Sequence, residues 1–113
     1  GENVAPAEVE EVLLAHPAVA TAQVVGVPDA RLGEVGAAFV TLKAEAAATE
    51  PELMEFLRTR CANFRVPRHL AIVESFDTIG MTASGKVQKH ALRDHAIRRF
   101  KLDARPVAAG AAR

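Results

Sequence analysis

The sequence predicts an α+β domain in which a three-stranded sheet is packed by helices. Half of the 113 residues are apolar, which suits a chain of this length that buries one core. Apolar residues recur with helical spacing in three segments and as strand-like runs in three others. These segments follow one another as helix, strand, strand, helix, strand, helix. A small sheet with helices packed on it accounts for that order.

The first helix and the two strands after it are predicted from their apolar spacing. A helix is expected over Val4 to Leu14, with a proline in its first turn, acidic residues near its start and Pro17 beyond its end. Strands are expected over 19–27 and 35–42, and their short connection favours an antiparallel hairpin. The first strand is apolar on both sides, which indicates burial on both faces. One side shows Val19, Gln23, Val25 and Val27, and the other shows Ala20, Ala22 and Val24.

The second helix carries the clearest start signal in the chain. Thr49 and Glu52 have the spacing of a capping box, and the helix is predicted to run from Thr49 to Phe64. Pro67 and the residue before it then break the helix. Cys61 lies on the apolar stripe, so it is interpreted as a small buried hydrophobic residue rather than a catalytic thiol.

The remaining chain supplies a third strand, a last helix and a tail. The strand is predicted over 70–73, and the helix begins at Gln88 or Lys89 and ends at Phe100. From position 101 the composition turns to Ala, Gly, Pro and Arg, which indicates poor order. The expected organisation is one domain over 1–100 and a disordered tail over 101–113.

Composition argues against several classes of protein. No apolar run approaches the ~20 residues of a membrane span, and no signal peptide opens the chain. The single cysteine, Cys61, excludes an internal disulfide and fits a reducing compartment such as the cytoplasm. Four histidines are scattered without metal-ligand spacing, so no metal site is predicted in the chain.

Charge is unevenly distributed although the net charge is zero. Residues 1–57 hold ten acidic and two basic side chains, whereas residues 58–113 hold four acidic and twelve basic ones, a surplus of eight positive charges. This surplus suits a phosphate-bearing partner, and it also suits a solvated basic helix. Nucleic acid fits less well, because no aromatic residues interleave with the basic ones to stack on bases.

A segment rich in helix-breaking residues ends in Ser84-Gly85-Lys86 and leads directly into the basic last helix. Glycine allows positive φ or a close approach of the backbone to a ligand. Lysine is a mobile point charge that can reach a phosphate or a carboxylate. Short Gly-Lys loops are also common as solvated turns, so the residues alone leave both interpretations open.

Three stretches follow one another along the chain. They are Gly1-Glu2-Asn3-Val4 with Pro6-Ala7-Glu8-Val9-Glu10, Val25-Gly26-Val27-Pro28-Asp29 with Gly33-Glu34-Val35, and Arg65-Val66-Pro67-Arg68 before Thr82-Ala83-Ser84-Gly85-Lys86. Together they resemble the mobile C-terminal domain of the AMP-forming acyl-CoA synthetases, over about residues 1–100. These enzymes belong to the adenylate-forming (ANL) superfamily, which also includes luciferases and peptide-synthetase adenylation domains.

The resemblance assigns the lysine of the third stretch a catalytic role. Lys86 matches the adenylation lysine, which bridges the substrate carboxylate and the nucleotide. A carboxylate that attacks the α-phosphate of ATP meets negative charge, and a preorganised cation stabilises the charge that develops. Ser84 and Gly85 let the loop enter the active site. Lys89 is expected to belong to the following helix and to tolerate replacement.

Other residues are assigned to the thioester-forming face. Gly1 matches a glycine that lines the pantetheine tunnel, where a side chain would obstruct the thiol. Glu2 is expected on the same face. Arg58 falls near a position where some relatives contact the CoA nucleotide, and a solvated helix arginine fits its position equally well.

The resemblance also implies what this chain lacks. An N-terminal adenylation domain would hold ATP with Mg²⁺ and the acyl acid, and CoA would join in the second step. The chain is therefore interpreted as a lid cut from a longer ligase and is expected to be inactive alone. One departure from the family pattern is the segment 76–81, which lacks the usual proline before the lysine loop and leaves its alignment open.

Two alternatives remain beside the acyl-CoA ligase. An adenylating enzyme that loads a carrier protein shares the domain, but Val87-Gln88-Lys89 after the lysine is more similar to fatty acyl-CoA ligases. A stand-alone binding module that has lost catalysis is the second alternative, and the retained Lys86 argues against it.

Overall fold

The computed structural model describes residues 6–31, 33–61, 66–76 and 87–102. Within them the elements follow the predicted order. The helices and strands are α1 (Pro6–Leu14), β1 (Val19–Asp29), β2 (Gly33–Leu42), α2 (Glu50–Arg58), β3 (His69–Ile72) and α3 (Lys89–Arg99). The α+β class with a three-stranded sheet is confirmed.

The sheet has the strand order β1-β2-β3, so β2 is its central strand. β1 and β2 form the predicted antiparallel hairpin, with Val27 opposite Val35. β3 is parallel to β2, and Phe39 lies opposite Ala71. A parallel neighbour needs a crossover connection, and α2 lies in that connection. At the outer edge of β3, the backbone N–H of Ile72 donates to the carboxylate of Glu50, 3.1 Å away, at the start of α2.

The predicted faces of β1 are correct except at one end. A register shift between Val19 and Thr21 places an extra residue in β1. A β-bulge of this kind reverses the alternation of side chains beyond it. Val19 therefore packs with Ala22 and Val24 rather than with Val25 and Val27 as predicted. The sequence pattern around Val19 contains no signal for the bulge.

Both faces of the sheet are covered, as the apolar pattern of β1 predicts. The first cluster lies under α1 and α2 and is formed by Val9, Leu13, Val19, Ala22, Val24, Ala38, Val40, Leu53, Leu57 and Leu70. The second lies under α3 and is formed by Val25, Val27, Val35, Ala37, Phe39, Ala71, Phe76, Leu92 and Ala96. The sheet is thus the middle layer of a three-layer domain.

α2 starts as predicted but ends earlier. Its capping box is present, because the Glu52 N–H donates to Thr49 Oγ1 at 3.2 Å and the Thr49 N–H donates to the Glu52 carboxylate at 3.4 Å. The helix ends at Arg58, whereas the prediction carried it to Phe64. The Phe56 carbonyl accepts the Thr59 hydroxyl at 2.8 Å, and a side chain that bonds the backbone in this way competes with the helix.

The end of α3 has the geometry of a Schellman motif. Leu102 N–H donates to the Ile97 carbonyl at 2.8 Å, and Lys101 N–H donates to the Arg98 carbonyl at 3.3 Å. Lys101 has φ 59°, the left-handed conformation that this motif requires. Leu102 packs against the second cluster. Lys101 and Leu102 thus cap the helix, and residues 103–113 of the predicted tail lie outside the described residues.

Candidate functional site

Most of the predicted site lies outside the described residues. Lys86, Ser84 and Gly85 fall in the undescribed segment 77–86, and Gly1 and Glu2 fall before Pro6. Their roles therefore remain predictions. Arg58 is described, and the residues that flank both undescribed segments are described as well.

The segment that ends in Lys86 is anchored at both ends on the same face of the sheet. Phe76, immediately before it, is 5% exposed and belongs to the second core cluster. Val87, immediately after Lys86, packs against that cluster too. The described residues on either side of 77–86 therefore both lie on the face of the sheet that α3 covers.

The first turn of α3 is tied to two other elements by one side chain. Lys89 Nζ donates to the carboxylate of Glu10 on α1 and, at 2.9 Å, to the backbone carbonyl of Val24 on β1. Glu10 in turn accepts the N–H of Val24 at 2.8 Å. The sequence predicts Lys89 only as a helix residue that tolerates replacement. The contact between Lys89 and Glu10 joins residues 79 positions apart, and no local pattern signals it.

One turn further along α3, a second basic residue reaches the same strand. Arg93 Nε donates to the carbonyl of Gly26 at 3.0 Å. A Cβ on Gly26 would come within 2.6 Å of the Glu34 carboxylate, so the exposed Glu34 side chain would have to shift to accommodate it. β1 is an outer strand of the sheet, and the Val24 N–H, the Val24 carbonyl and the Gly26 carbonyl on its outer edge are paired with side chains of α1 and α3.

A cavity of about 340 Å³ opens at this corner of the domain. Its walls include Pro6 at the start of α1, Gly26 on β1 and three residues of α3, namely Lys89, His90 and Arg93. The corner is basic on the α3 side and acidic at Glu34. Its lining includes Pro6, where the described chain resumes after residues 1–5, and Lys89, two residues after the chain resumes at Val87.

Arg58 lies on the opposite face of the sheet, at the exposed end of α2. Its guanidinium is 3.0 Å from the Glu55 carboxylate in an exposed pair on the same helix. It also lines a cavity of about 280 Å³ together with Arg68, Met54, Val66 and Pro67. Pro67 is held close to β2, since a Cβ on Gly36 would lie 3.3 Å from it. This second cavity therefore has two guanidinium groups and an apolar wall.

Two histidine side chains have pKa values below the ordinary value of 6.5. Burial lowers the pKa of His95, and the positive charges of Arg99 and Arg98 lower it further. Burial also lowers the pKa of His69, an effect that Asp29 opposes and Arg68 reinforces. These two effects favour the neutral imidazole.

Cys61 packs against the first core cluster, but it is only partly buried rather than buried as predicted. Burial raises the pKa of its thiol. A raised pKa disfavours the thiolate, which is the nucleophilic form. The environment of Cys61 is therefore that of an apolar side chain.

Across residues 6–31, 33–61, 66–76 and 87–102, no three His, Cys, Asp or Glu side chains form a group that could hold a metal ion. None of the helices in the same residues is long and apolar enough to cross a membrane.

The described domain is the small α+β unit found at the C-terminus of adenylate-forming enzymes, and comparison with known proteins identifies its family. Residues 8–86 match the AMP-binding enzyme C-terminal domain. The mitochondrial medium-chain acyl-CoA ligase of Mus musculus is 41% identical over 102 residues, 90% of this chain and 16% of the relative. A fatty acyl CoA synthetase structure from Mycobacterium tuberculosis superposes with a TM-score of 0.75 at 33% identity, covering 88% of this chain and 19% of that one.

A structure of ATP-bound MatB from Rhodopseudomonas palustris superposes with a TM-score of 0.77 at 31% identity, covering 87% of this chain and 19% of that one. The chain belongs to the AMP-binding enzyme C-terminal domain family. The resemblance drawn from the three sequence stretches is thereby confirmed. The chain spans less than a fifth of the length of the relatives it matches.

Proposed function

We propose that this chain is the C-terminal lid of an ATP-dependent, AMP-forming acyl-CoA ligase that acts on fatty acids. In the first step the substrate carboxylate attacks the α-phosphate of ATP, which gives an acyl-adenylate and releases pyrophosphate. In the second step the CoA thiol attacks the acyl carbon, which gives the thioester and releases AMP. The observation that carries the proposal is the family match over residues 8–86 together with relatives named as acyl-CoA ligases.

Lys86 is proposed as the cation of the first step. The carboxylate and the triphosphate are both negative, and a positive group held at the point of attack stabilises the charge that develops. The burial of Phe76 and Val87 supports this role, because anchored ends present the intervening segment from a rigid scaffold. Ser84 and Gly85 are proposed to let the backbone next to Lys86 approach the nucleotide closely.

Gly1 and Glu2 are proposed to serve the second step. A glycine at the tunnel for the pantetheine arm leaves space that any side chain would fill. Arg58 is proposed to contact the phosphates of the CoA nucleotide. Its exposed guanidinium and that of Arg68 line one cavity, and paired guanidinium groups suit phosphate oxygens.

The proposed partner is an N-terminal adenylation domain in the same enzyme. The match of this chain to less than a fifth of each relative supports that partner. ATP would bind there with Mg²⁺, and in this proposal the ligands of the ion come from the nucleotide and the larger domain. The free thiol of Cys61 suits a reducing compartment such as the cytoplasm.

The test separates the two steps in the full-length ligase. Lys86→Ala is expected to slow pyrophosphate release by about 10²–10³-fold, because one preorganised group of this kind is worth that much. Transfer to CoA from preformed acyl-adenylate is expected to stay near normal, since the lysine loop leaves the site once the lid rotates. The assay measures pyrophosphate in the first reaction and acyl-CoA in the second.

Gly1→Leu tests the second step, as Lys86→Ala tests the first. It is expected to slow thioester formation more than adenylation, because its side chain enters the tunnel only in the rotated state. Equal slowing of both steps in either variant would contradict the division of roles.

A separate experiment distinguishes the ligase from the carrier-loading alternative. It compares the rates of acyl transfer to CoA and to a carrier protein. The sequence Val87-Gln88-Lys89 argues against the carrier-loading alternative.

A further inference from the structure

We propose that Lys89 and Glu10 form a positioning pair that fixes the first turn of α3, and through it the catalytic lysine of the adjoining loop. This inference rests on the proposed function, because it concerns the presentation of Lys86 in adenylation. Neither residue is proposed to touch the substrate.

The pair is built from contacts that bind three elements at one point. Lys89 Nζ reaches the Glu10 carboxylate and the Val24 carbonyl, and the same carboxylate accepts the Val24 N–H. The Glu10 side chain is 22% exposed and that of Lys89 is 47% exposed. A partly desolvated, hydrogen-bonded ion pair defines geometry more strictly than a solvated one. α1, β1 and α3 are thereby held in one relative position.

The start of α3 has little local stabilisation of its own. Gln88, its N-cap residue, makes no side-chain cap hydrogen bond, and the first turn contains no acidic residue. A lysine at the first helical position is also unfavourable, because the N-terminal end of a helix carries partial positive charge. The Glu10 carboxylate offsets that charge from outside the helix. The position of Lys89 is therefore explained by its tertiary contact and not by helix formation.

The pair lies close enough to Lys86 in the sequence that a small displacement of the first turn of α3 would also displace Lys86. Lys89 is three residues after Lys86, and Leu92, the first fully buried residue of α3, is one turn further on. α1 has a stronger hold, since Val9 and Leu13 are both buried in the first cluster. Loss of the pair is thus expected to release the first turn of α3 while α1 stays in place. Misplacement of a catalytic group by about 1 Å can cost up to ~10²-fold in rate.

The experiment uses the full-length ligase with Lys89→Met, Glu10→Gln and the double variant. Glu10→Gln keeps an oxygen for the Val24 N–H and removes only the charge. Each single variant is expected to lower kcat for pyrophosphate release by about tenfold, within the range for a displaced group, with the KM for the acid nearly unchanged. The double variant is expected to be no slower than the slower single variant, because both single variants disrupt the same ion pair. Lys89→Arg is expected to retain most of the rate.

Two further measurements separate positioning from a merely structural role. Transfer of the acyl group from preformed adenylate is expected to stay normal in all three variants. In a Lys86→Ala background, Lys89→Met is expected to cause no additional loss, because Lys89 acts only through Lys86. Arg98→Met is the control for loss of one positive charge from α3, and it is expected to leave both steps unchanged.

The outcomes are distinguishable. Normal pyrophosphate release by folded Lys89→Met or Glu10→Gln, or equal slowing of both steps, would overturn the inference. If Lys89→Met does not fold, Glu10→Gln tests the same contact from the other side. Normal adenylation by Lys86→Ala would refute the proposed function itself, whatever rates of pyrophosphate release Lys89→Met and Glu10→Gln show.

Discussion

At the scale of single residues, His95 shows how a half-buried histidine responds to its surroundings. Its ring meets the edge of Phe39 with centroids 5.6 Å apart, and its Nε2 atom is buried without a hydrogen-bond partner. Burial and the two arginines near the end of α3 lower its pKa from the ordinary value of 6.5. His69, stacked on Phe100 with centroids 4.8 Å apart, also has a lowered pKa.

Stability is expected to fall as pH decreases below about 6.5. The unfolded chain then takes up protons at His69 and His95 before the folded domain does, so protonation favours unfolding until the folded-state pKa values are passed. Above pH 6.5 both histidines are neutral in the folded and the unfolded chain, so their full contribution to the free energy of unfolding is present. Urea unfolding of the domain at pH 7.5, 6.5 and 5.5 measures the free energy, and His95→Leu should flatten the dependence. A domain that gains stability over this acid range would contradict the assignment.

Residue roles in the site could be predicted from sequence only in part. The chemistry of Ser84-Gly85-Lys86 indicates a mobile cation and no more, and its catalytic role comes from the resemblance and stays a prediction. The Glu10–Lys89 pair could not be predicted, because its members are 79 positions apart in the chain and no local pattern links them.

At the scale of elements, α2 depends on a short stretch that the sequence identifies directly. Its capping box involves only Thr49 and Glu52, so local spacing was sufficient to predict it. The end of α2 and the bulge in β1 were not predicted. The Thr59 hydroxyl ends the helix through a contact that an apolar stripe does not signal, and the bulge at Val19 changes pairing without changing the apolar pattern.

Thr49→Ala is expected to lower the free energy of unfolding by about 1 kcal/mol, because it removes the oxygen that accepts the Glu52 N–H. Thr49→Ser keeps that oxygen and is expected to retain most of the stability. Urea unfolding of the three proteins at one pH provides the measurement. Equal destabilisation by Ser and Ala would show that the methyl group, not the cap, is responsible.

At the scale of the whole molecule, the domain has apolar clusters on both faces of one sheet. The fold class was predictable because apolar residues on both sides of β1 require cover on both sides of the sheet. The parallel placement of β3 beside β2 was not predicted, since a short apolar run does not specify its neighbour.

The isolated chain is expected to fold cooperatively and to be inactive. Its clusters close without a partner, which favours a single unfolding transition. Catalysis requires a positioned acid and nucleotide, which the proposal assigns to the larger domain. Thermal unfolding followed by two probes tests the first part, and pyrophosphate release with ATP, Mg²⁺, CoA and fatty acids tests the second. Turnover by the isolated chain would refute its assignment as a lid.

Charged side chains bind backbone groups at both edges of the sheet, and this pairing has a further consequence. A strand at the end of a sheet can recruit a strand from another molecule through its free backbone groups, which leads to aggregation. Here Glu10, Lys89 and Arg93 occupy such groups on β1, and Glu50 occupies one on β3. All four are charged and come from helices, so a strand from another chain would have to displace them. The contacts that hold the helices in register thus also oppose self-association.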